Sequence, residues 1–224
     1  MKQRVCDAVE RFRHELLDVS HYIHENPELA FEEVKAAARL EQTLKGAGLP
    51  VATRAYGLDT AFESEFGKDG GPTVALLAEY DALPEIGHAC GHNIIATTAL
   101  GATLALHALG DDLPGRVRLL GTPAEERGGG KELMARKGAF EGVDAALMVH
   151  PAGVDLATMP CIAIADVEIV YHGRSAHASA APQAGINALD ALVIAYQALN
   201  SLRQHIKHTE RIHGIITHLS LIHI

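Results

Sequence analysis

Residues 87–93 read Gly-His-Ala-Cys-Gly-His-Asn and place one thiol and two imidazoles, His88, Cys90 and His92, within five positions. Soft and borderline ligands at that spacing suit a transition metal. A second group, Glu125-Glu126, follows Thr122-Pro-Ala and runs into Arg127 and three glycines. Of two adjacent carboxylates, one can bind a metal while its neighbour takes a proton. His150 and the pair Glu79 and Asp81 extend the set. A carboxylate near residue 80 could hold the second nitrogen of a ligand histidine and fix its tautomer. Taken singly, these residues read more plainly: Cys90 as an inert buried thiol, Glu125-Glu126 as an acidic helix start, His150 as a satisfied polar residue. Taken together, they predict a metal centre.

The elements that must position these residues follow from hydrophobic periodicity. Pro72-Thr-Val-Ala-Leu-Leu-Ala78 is a continuous apolar run of buried-strand length, and Ile94 to Leu109 has helical length and composition, so the 87–93 cluster falls on a strand-to-helix loop. Arg116 to Gly121 and Asp144 to His150 read as two more short strands. Glu125-Glu126 and His150 then sit at strand C-terminal ends, and thiol, imidazoles and carboxylates from three strands converge on one edge of a sheet. Upstream, Val5, Val9, Phe12 and Leu16 predict one helix; Asn26-Pro27-Glu28 offers a start for another that stops at Gly46 and Gly48. Helices alternating with strands predict an α/β class: a three-layer catalytic domain with a mostly parallel sheet, residues 1–163. After Pro160 the pattern changes. Ile164 to Tyr171 alternates as a strand, Ile186 to Ile206 reads as one long helix, and Arg211 to Thr217 returns to strand, so a second, α+β domain is expected over 164–224.

Composition restricts the partners. The 224 residues carry 28 acidic and 19 basic side chains, a net charge of −9, with no basic cluster, which argues against nucleic acid or an anionic membrane and favours a small molecule or peptide. No window approaches the roughly 18 apolar residues of a membrane span, and the charged N-terminus has no apolar signal region. Three dispersed cysteines, Cys6, Cys90 and Cys161, make no disulfide framework and point to a reducing, cytoplasmic setting. Of the fourteen histidines, those at 14, 21, 24, 107, 205, 208, 213, 218 and 223 have no partners in the sequence pattern and receive no role.

GHACGHN, TPAEE followed by glycines, MVHP, and HGRSAHAS with GINALDA occur in that order, and together they resemble the dinuclear metallo-aminohydrolase and exopeptidase family. That family includes aminoacylases, indole-acetyl-amino-acid hydrolases, aminobenzoyl-glutamate hydrolase and carnosine-type dipeptidases; the wording here is nearest its β-alanyl-lysine (Xaa-Arg/Lys) dipeptidase branch. The resemblance implies two divalent metal ions, zinc or manganese, held by Cys90, His92, Glu126 and His150, with the thiolate at a bridging position that many relatives fill with Asp. It implies Glu125 as general base for the attacking water. Asp81 matches the aspartate that holds a ligand histidine; Glu79 stands where many relatives have a ligand histidine. His88 is read as structural or as a support to the ligands. In the second domain, an inserted dimerisation or lid domain in the family, His177 matches a residue that reaches the partner subunit's site in a homodimer and donates to the developing oxyanion, a role typically worth about 10²–10³ in rate. Asn187 matches a position near the substrate.

The implied reaction is amide hydrolysis of small dipeptides or N-acyl amino acids, Xaa-Lys/Arg-type dipeptides first. An aminobenzoyl-glutamate or N-acyl-amino-acid amidohydrolase is the alternative, and an inactive metal-binding fragment is the alternative of another class. The family's fifth ligand, a histidine beyond the inserted domain, is expected past residue 224, and the tail from His218 departs from the glycine-rich continuation. Both domains are therefore expected to be incomplete.

Overall fold

The computed structural model describes residues 1–158 and 163–219; Pro160, Cys161 and the last five residues of the tail lie outside them. The chain forms two compact units, Met1–Ala157 and Thr158–Ile224.

In the first unit the single helix expected over Val5 to Leu16 is two, α1 (Lys2–Arg11) and α2 (Arg13–Glu25), meeting at Phe12. The apolar period nevertheless holds: α2 buries Leu16, Val19 and Ile23. Asn26 ends α2 instead of starting the next helix, its side-chain amide donating to the Tyr22 carbonyl at 2.9 Å. The following helix, α3 (Val34–Gly46), begins later than its sequence predicts. Glu28 explains the delay: its carboxylate accepts from the backbone N–H of Lys35 and Ala36, capping the helix from six residues outside it.

Five strands form one sheet in the order β1-β2-β4-β3-β5: β1 (Ala52–Thr53), β2 (Phe62–Gly67), β3 (Thr73–Ala78), β4 (Arg116–Gly121) and β5 (Ala145–Leu147). Strands β5, β3 and β4 are parallel, as the sequence predicts, whereas β2 and β1 add an antiparallel edge beside β4, so the sheet is mixed. The strand expected over 144–150 is confined to three residues, which frees His150 for the loop that follows. Helix α4 (His92–His107) joins β3 to β4, and α5 (Gly130–Ala135) lies between β4 and β5.

Helices cover both faces. Leu76, Ala78, Val117 and Leu119 point into the core shared with α2, α3 and α4, while Ala75 and Leu120 pack with Met134 and Ala139 on the other face. The period of two along β3 and β4 thus serves two cores, which is why both strands read as unbroken apolar runs. Helix α4 buries ten of its residues and is apolar nearly all round, as a helix between layers must be. Gly101 lets α2 approach it: a β carbon there would stand 3.0 Å from Leu16 Cδ1.

At the mixed edge Glu65 accepts hydrogen bonds from both Arg116 and Arg118, the latter at 2.6 Å. Burial raises its pKa, but the guanidinium of Arg118 and then that of Arg116 outweigh it and hold the carboxyl below its ordinary 4.5. A depressed carboxyl stabilises the fold above the unfolded pKa, and the contribution is lost as pH falls through the lower folded value. Glu65→Gln should therefore cost about 1 kcal/mol at neutral pH and flatten urea-unfolding stability between pH 4.5 and the acid limb; an unchanged acid limb would remove this ion pair from the account.

The described part of the second unit contains helix α6 (Ala188–Leu202), shorter than the 186–206 expected, and a single antiparallel bridge between Arg174 and Ile186. The strands expected at 164–171 and 211–217 are not formed. A half-exposed strand is held by its ladder, and no neighbouring strand pairs with either segment among the described residues.

Candidate metal centre

The parallel strands end at one side of the first unit, and each delivers chemistry from the residues just past its C-terminal end. After β3 come Glu79 and Asp81, after β4 Glu125 and Glu126, after β5 His150, and the turn into α4 supplies Cys90 and His92. The chain goes from β3 to its neighbour β4 and then crosses to β5 on the other side of β3, so the site lies where the strand order reverses, the crevice such sheets use for ligands.

His92 is at the centre and fully buried. Its Nδ1–H donates to Asp81 Oδ1 at 2.9 Å, while Asp81 Oδ2 accepts from the backbone N–H of Glu126, so one buried aspartate fixes both the imidazole and the carboxylate loop. The other nitrogen, Nε2, faces Glu79 Oε2 at 3.4 Å, Glu126 Oε1 at 3.7 Å and Glu125 Oε2 at 3.8 Å. His150 is arranged alike: Nδ1–H donates to the Pro151 carbonyl at 2.7 Å, leaving Nε2 turned to Cys90 Sγ at 3.5 Å. Metal-binding histidines have this form, one nitrogen tied to oxygen and the other presenting its lone pair.

Two donor groups share His92: Cys90, His92 and His150, and Glu79, His92 and Glu125, each with its ligand atoms within 4.8 Å of one another. His92 Nε2, Glu79 Oε2 and Glu126 Oε1 are buried without a hydrogen-bond partner. Unsatisfied buried polar atoms are costly, and here they converge on one another. The electrostatics agree. Burial, then the Glu126 carboxylate, pushes the Cys90 thiol up to about 12. Glu125 is raised by burial and by Glu79. Burial lowers the pKa of His92, yet Asp81 and Glu79 outweigh it and raise the pKa overall. The Cys90 thiol and the Glu125 carboxyl both resist ionisation where they stand, and a divalent cation would supply the positive charge that favours their ionised forms. The residues therefore fit a metal.

Lys131, which the sequence reading passed over, pairs with Glu79 from the first turn of α5; a lysine directly after the glycine run was the available signal. The glycines themselves are conformational, not merely flexible. Gly128 and Gly129 have φ of +103° and +63°, and a β carbon on Gly130 would overlap the Pro123 carbonyl oxygen. Gly91, φ +87°, lets the cysteine loop come against Pro151, which a β carbon would meet at 2.8 Å. His88 joins neither donor group; it packs near His24 with ring centroids 6.4 Å apart, and burial with two neighbouring imidazoles lowers its pKa to about 4, so it is neutral.

His177 and Asn187 belong to the second unit. His177 Nδ1 accepts from the backbone N–H of Ser179 and Ala180, which places the ring proton on Nε2, the tautomer a hydrogen-bond donor needs. Asn187 caps α6, its side-chain oxygen accepting from Leu189 N at 3.0 Å.

Among solved structures, the chain is similar to the Bacillus subtilis YXEP protein, a dinuclear metal-binding peptidase, with TM-score 0.56 and 28% identity over 61% of this chain and 42% of that one. The aminobenzoyl-glutamate utilization protein of Klebsiella pneumoniae shares the fold at TM-score 0.66 and 23% identity, over 92% of this chain and 61% of its own. In sequence this chain is 43% identical to the Xaa-Arg dipeptidase of Mus musculus, over 96% of its own length and 53% of the relative. With a p-aminobenzoyl-glutamate hydrolase polypeptide of Escherichia coli K12 the identity is 36%, over 95% of this chain and 48% of the relative. The chain thus spans about half the length of the curated relatives it matches. The model of peptidase family M20/M25/M40 matches residues 75–215, which include every donor of the metal centre, and on that match and those identities the chain belongs to the peptidase family M20/M25/M40.

Proposed function

We propose that this chain carries the metal centre of an amide hydrolase acting on small dipeptides or N-acyl amino acids, with Xaa-Arg/Lys-type dipeptides as the first candidates. The observation that carries the reading is the convergence of buried, unpartnered donors, His92 Nε2, Glu79 Oε2 and Glu126 Oε1, beside Cys90 and His150. Cys90, His92, Glu126 and His150 would hold two divalent ions, zinc or manganese. When bound, a metal pair lowers the pKa of a water and polarises the amide carbonyl.

Every remaining task falls to side chains. Glu125, the more exposed of the two adjacent glutamates at 41% against 19%, takes the proton of the attacking water and passes it to the leaving amine. Asp81 holds His92 in the tautomer that turns Nε2 to the site. His177, with its proton on Nε2, is assigned the donor to the carbonyl oxygen as negative charge grows there, acting across a homodimer, and Asn187 is assigned to the substrate's carboxylate or carbonyl. Residues 1–163 would form the catalytic domain and 164–224 the dimerisation or lid domain. No helix among the described residues is long and apolar enough to cross a membrane; the exposed thiol of Cys6 suits a cytoplasmic setting.

The substrate class rests on the relatives, since the Xaa-Arg dipeptidases of mouse and human are 43% and 39% identical. The E. coli relative supports aminobenzoyl-glutamate as the second substrate to assay. The deciding experiment measures metal per purified chain together with hydrolysis of β-alanyl-lysine and aminobenzoyl-glutamate. About two metals with turnover are expected. Metal without hydrolysis of either compound would favour the reading as a non-catalytic metal-binding chain, and absence of metal would remove both.

A further inference from the structure

Glu33 is a charged residue with no exposed surface, at the entry to α3 and far in sequence from the metal centre. Its Oε1 accepts two backbone bonds, from Ala124 N at 2.8 Å and from Phe31 N at 2.9 Å. Its Oε2 accepts from the Thr60 hydroxyl at 2.9 Å, and the Thr60 carbonyl accepts from the hydroxyl of Tyr80, the buried neighbour of Asp81, at 2.6 Å. One carboxylate therefore ties together three loops that share no secondary structure.

The two residues whose N–H groups it accepts are both strained. Phe31 and Ala124 have φ of +65° and +57°, the left-handed region that side chains other than glycine rarely occupy. Such conformations persist only where their surroundings over-determine them. Ala124 is the residue before Glu125 and Glu126, so its backbone angles set where both carboxylates point. The Phe31 ring packs against Gly128 on the far side of those glutamates, so Glu33 braces the loop at both ends. Burial raises the pKa of Glu33, and four hydrogen bonds, from its own backbone N–H, the Thr60 hydroxyl and the backbone N–H groups of Ala124 and Phe31, oppose that rise.

We propose that Glu33 is a positioning residue that holds Ala124 in its left-handed conformation and thereby aims Glu125 and Glu126 into the metal centre. The inference rests on the hydrolase reading, and it is tested without relying on turnover. Metal-free chain is titrated with cobalt(II), following bound metal and the thiolate-to-cobalt band that Cys90 supplies. Glu33→Ala should weaken cobalt binding about 10–100-fold, the usual effect of removing a support behind a ligand. It should keep the band intensity per bound ion, because Cys90 sits on another loop.

Glu33→Gln keeps an oxygen for Ala124 and Phe31, and the Thr60 hydroxyl can turn to accept from the new amide, so this variant should recover most of the lost affinity. Cobalt binding by Glu33→Ala equal to that of the unsubstituted chain overturns the inference, as does Glu33→Gln behaving like the alanine variant. Should Glu33→Ala not fold, amide exchange in the unsubstituted chain decides. Slow exchange at Ala124 N–H supports the brace, and exchange at the rate of an exposed loop amide overturns it. An unsubstituted chain that binds no cobalt would sink the hydrolase reading, and the same exchange measurement would still decide the role of Glu33.

Discussion

Glu125→Gln should leave the metal content of the chain unchanged and lower turnover of β-alanyl-lysine about 10²–10⁴-fold, the usual contribution of a positioned acid or base. Both glutamates follow β4, but they are held differently. The backbone of Glu126 is bonded to Asp81, and its Oε1 is buried without a partner, as expected of an oxygen awaiting a cation. Glu125 is more exposed, and burial and then Glu79 raise its pKa from the ordinary 4.5, with Lys131 opposing, the direction that suits a group taking up a proton. Glu125 nevertheless also forms a donor group with Glu79 and His92. The substitution separates the two possibilities: an amide in place of a proton-carrying carboxylate abolishes base chemistry, whereas an amide in place of a ligand also weakens metal binding. Metal lost together with activity would reverse the roles assigned to Glu125 and Glu126. Metal retained with full turnover would remove Glu125 from the mechanism.

The centre of the sheet was legible because β3 and β4 are buried on both faces and read as uninterrupted apolar runs, and the turns after them carry residue types with few other uses at that spacing. Strand β2 was not, because Phe62-Glu-Ser-Glu-Phe-Gly puts acids on an antiparallel edge where arginines of β4 meet them, and that pairing exists only in three dimensions. The start of α3 was misplaced for a similar reason: Glu28 caps the helix from a distance, so the local signal at Asn26-Pro27 marks the end of α2 instead. At the site, Cys90, His92, Glu125, Glu126 and His150 announce themselves by type, and the fold brings them together. Lys131 and Glu33 do not. A lysine near a helix start and a glutamate before a helix are commonplace, and their meaning comes from Glu79, 52 residues away, and from Ala124, 91 residues away.

His92→Ala carries the other large expected effect, and it acts on stability and metal at once. His92 is common to both donor groups, so its loss should leave neither able to hold an ion, whereas His150→Ala should disable only the group that includes Cys90. In the metal-free chain the imidazole is also the nearest compensation for buried carboxylates: Asp81 and Glu79 are each 1% exposed, Asp81 bonds to Nδ1, and Glu79 keeps only Lys131 once the ring is gone. Removing one partner of a buried ionic cluster strands the others, at about 3–5 kcal/mol. Urea unfolding of the metal-free protein should therefore show His92→Ala destabilised by that amount and His150→Ala much less, since His150 is half-buried and bonds chiefly to a carbonyl. Metal analysis of the same two variants should give none bound for His92→Ala and a reduced content for His150→Ala. Equal metal content in the two variants would mean that the ions do not share His92, and unchanged stability in His92→Ala would mean that Lys131 alone compensates the buried carboxylates.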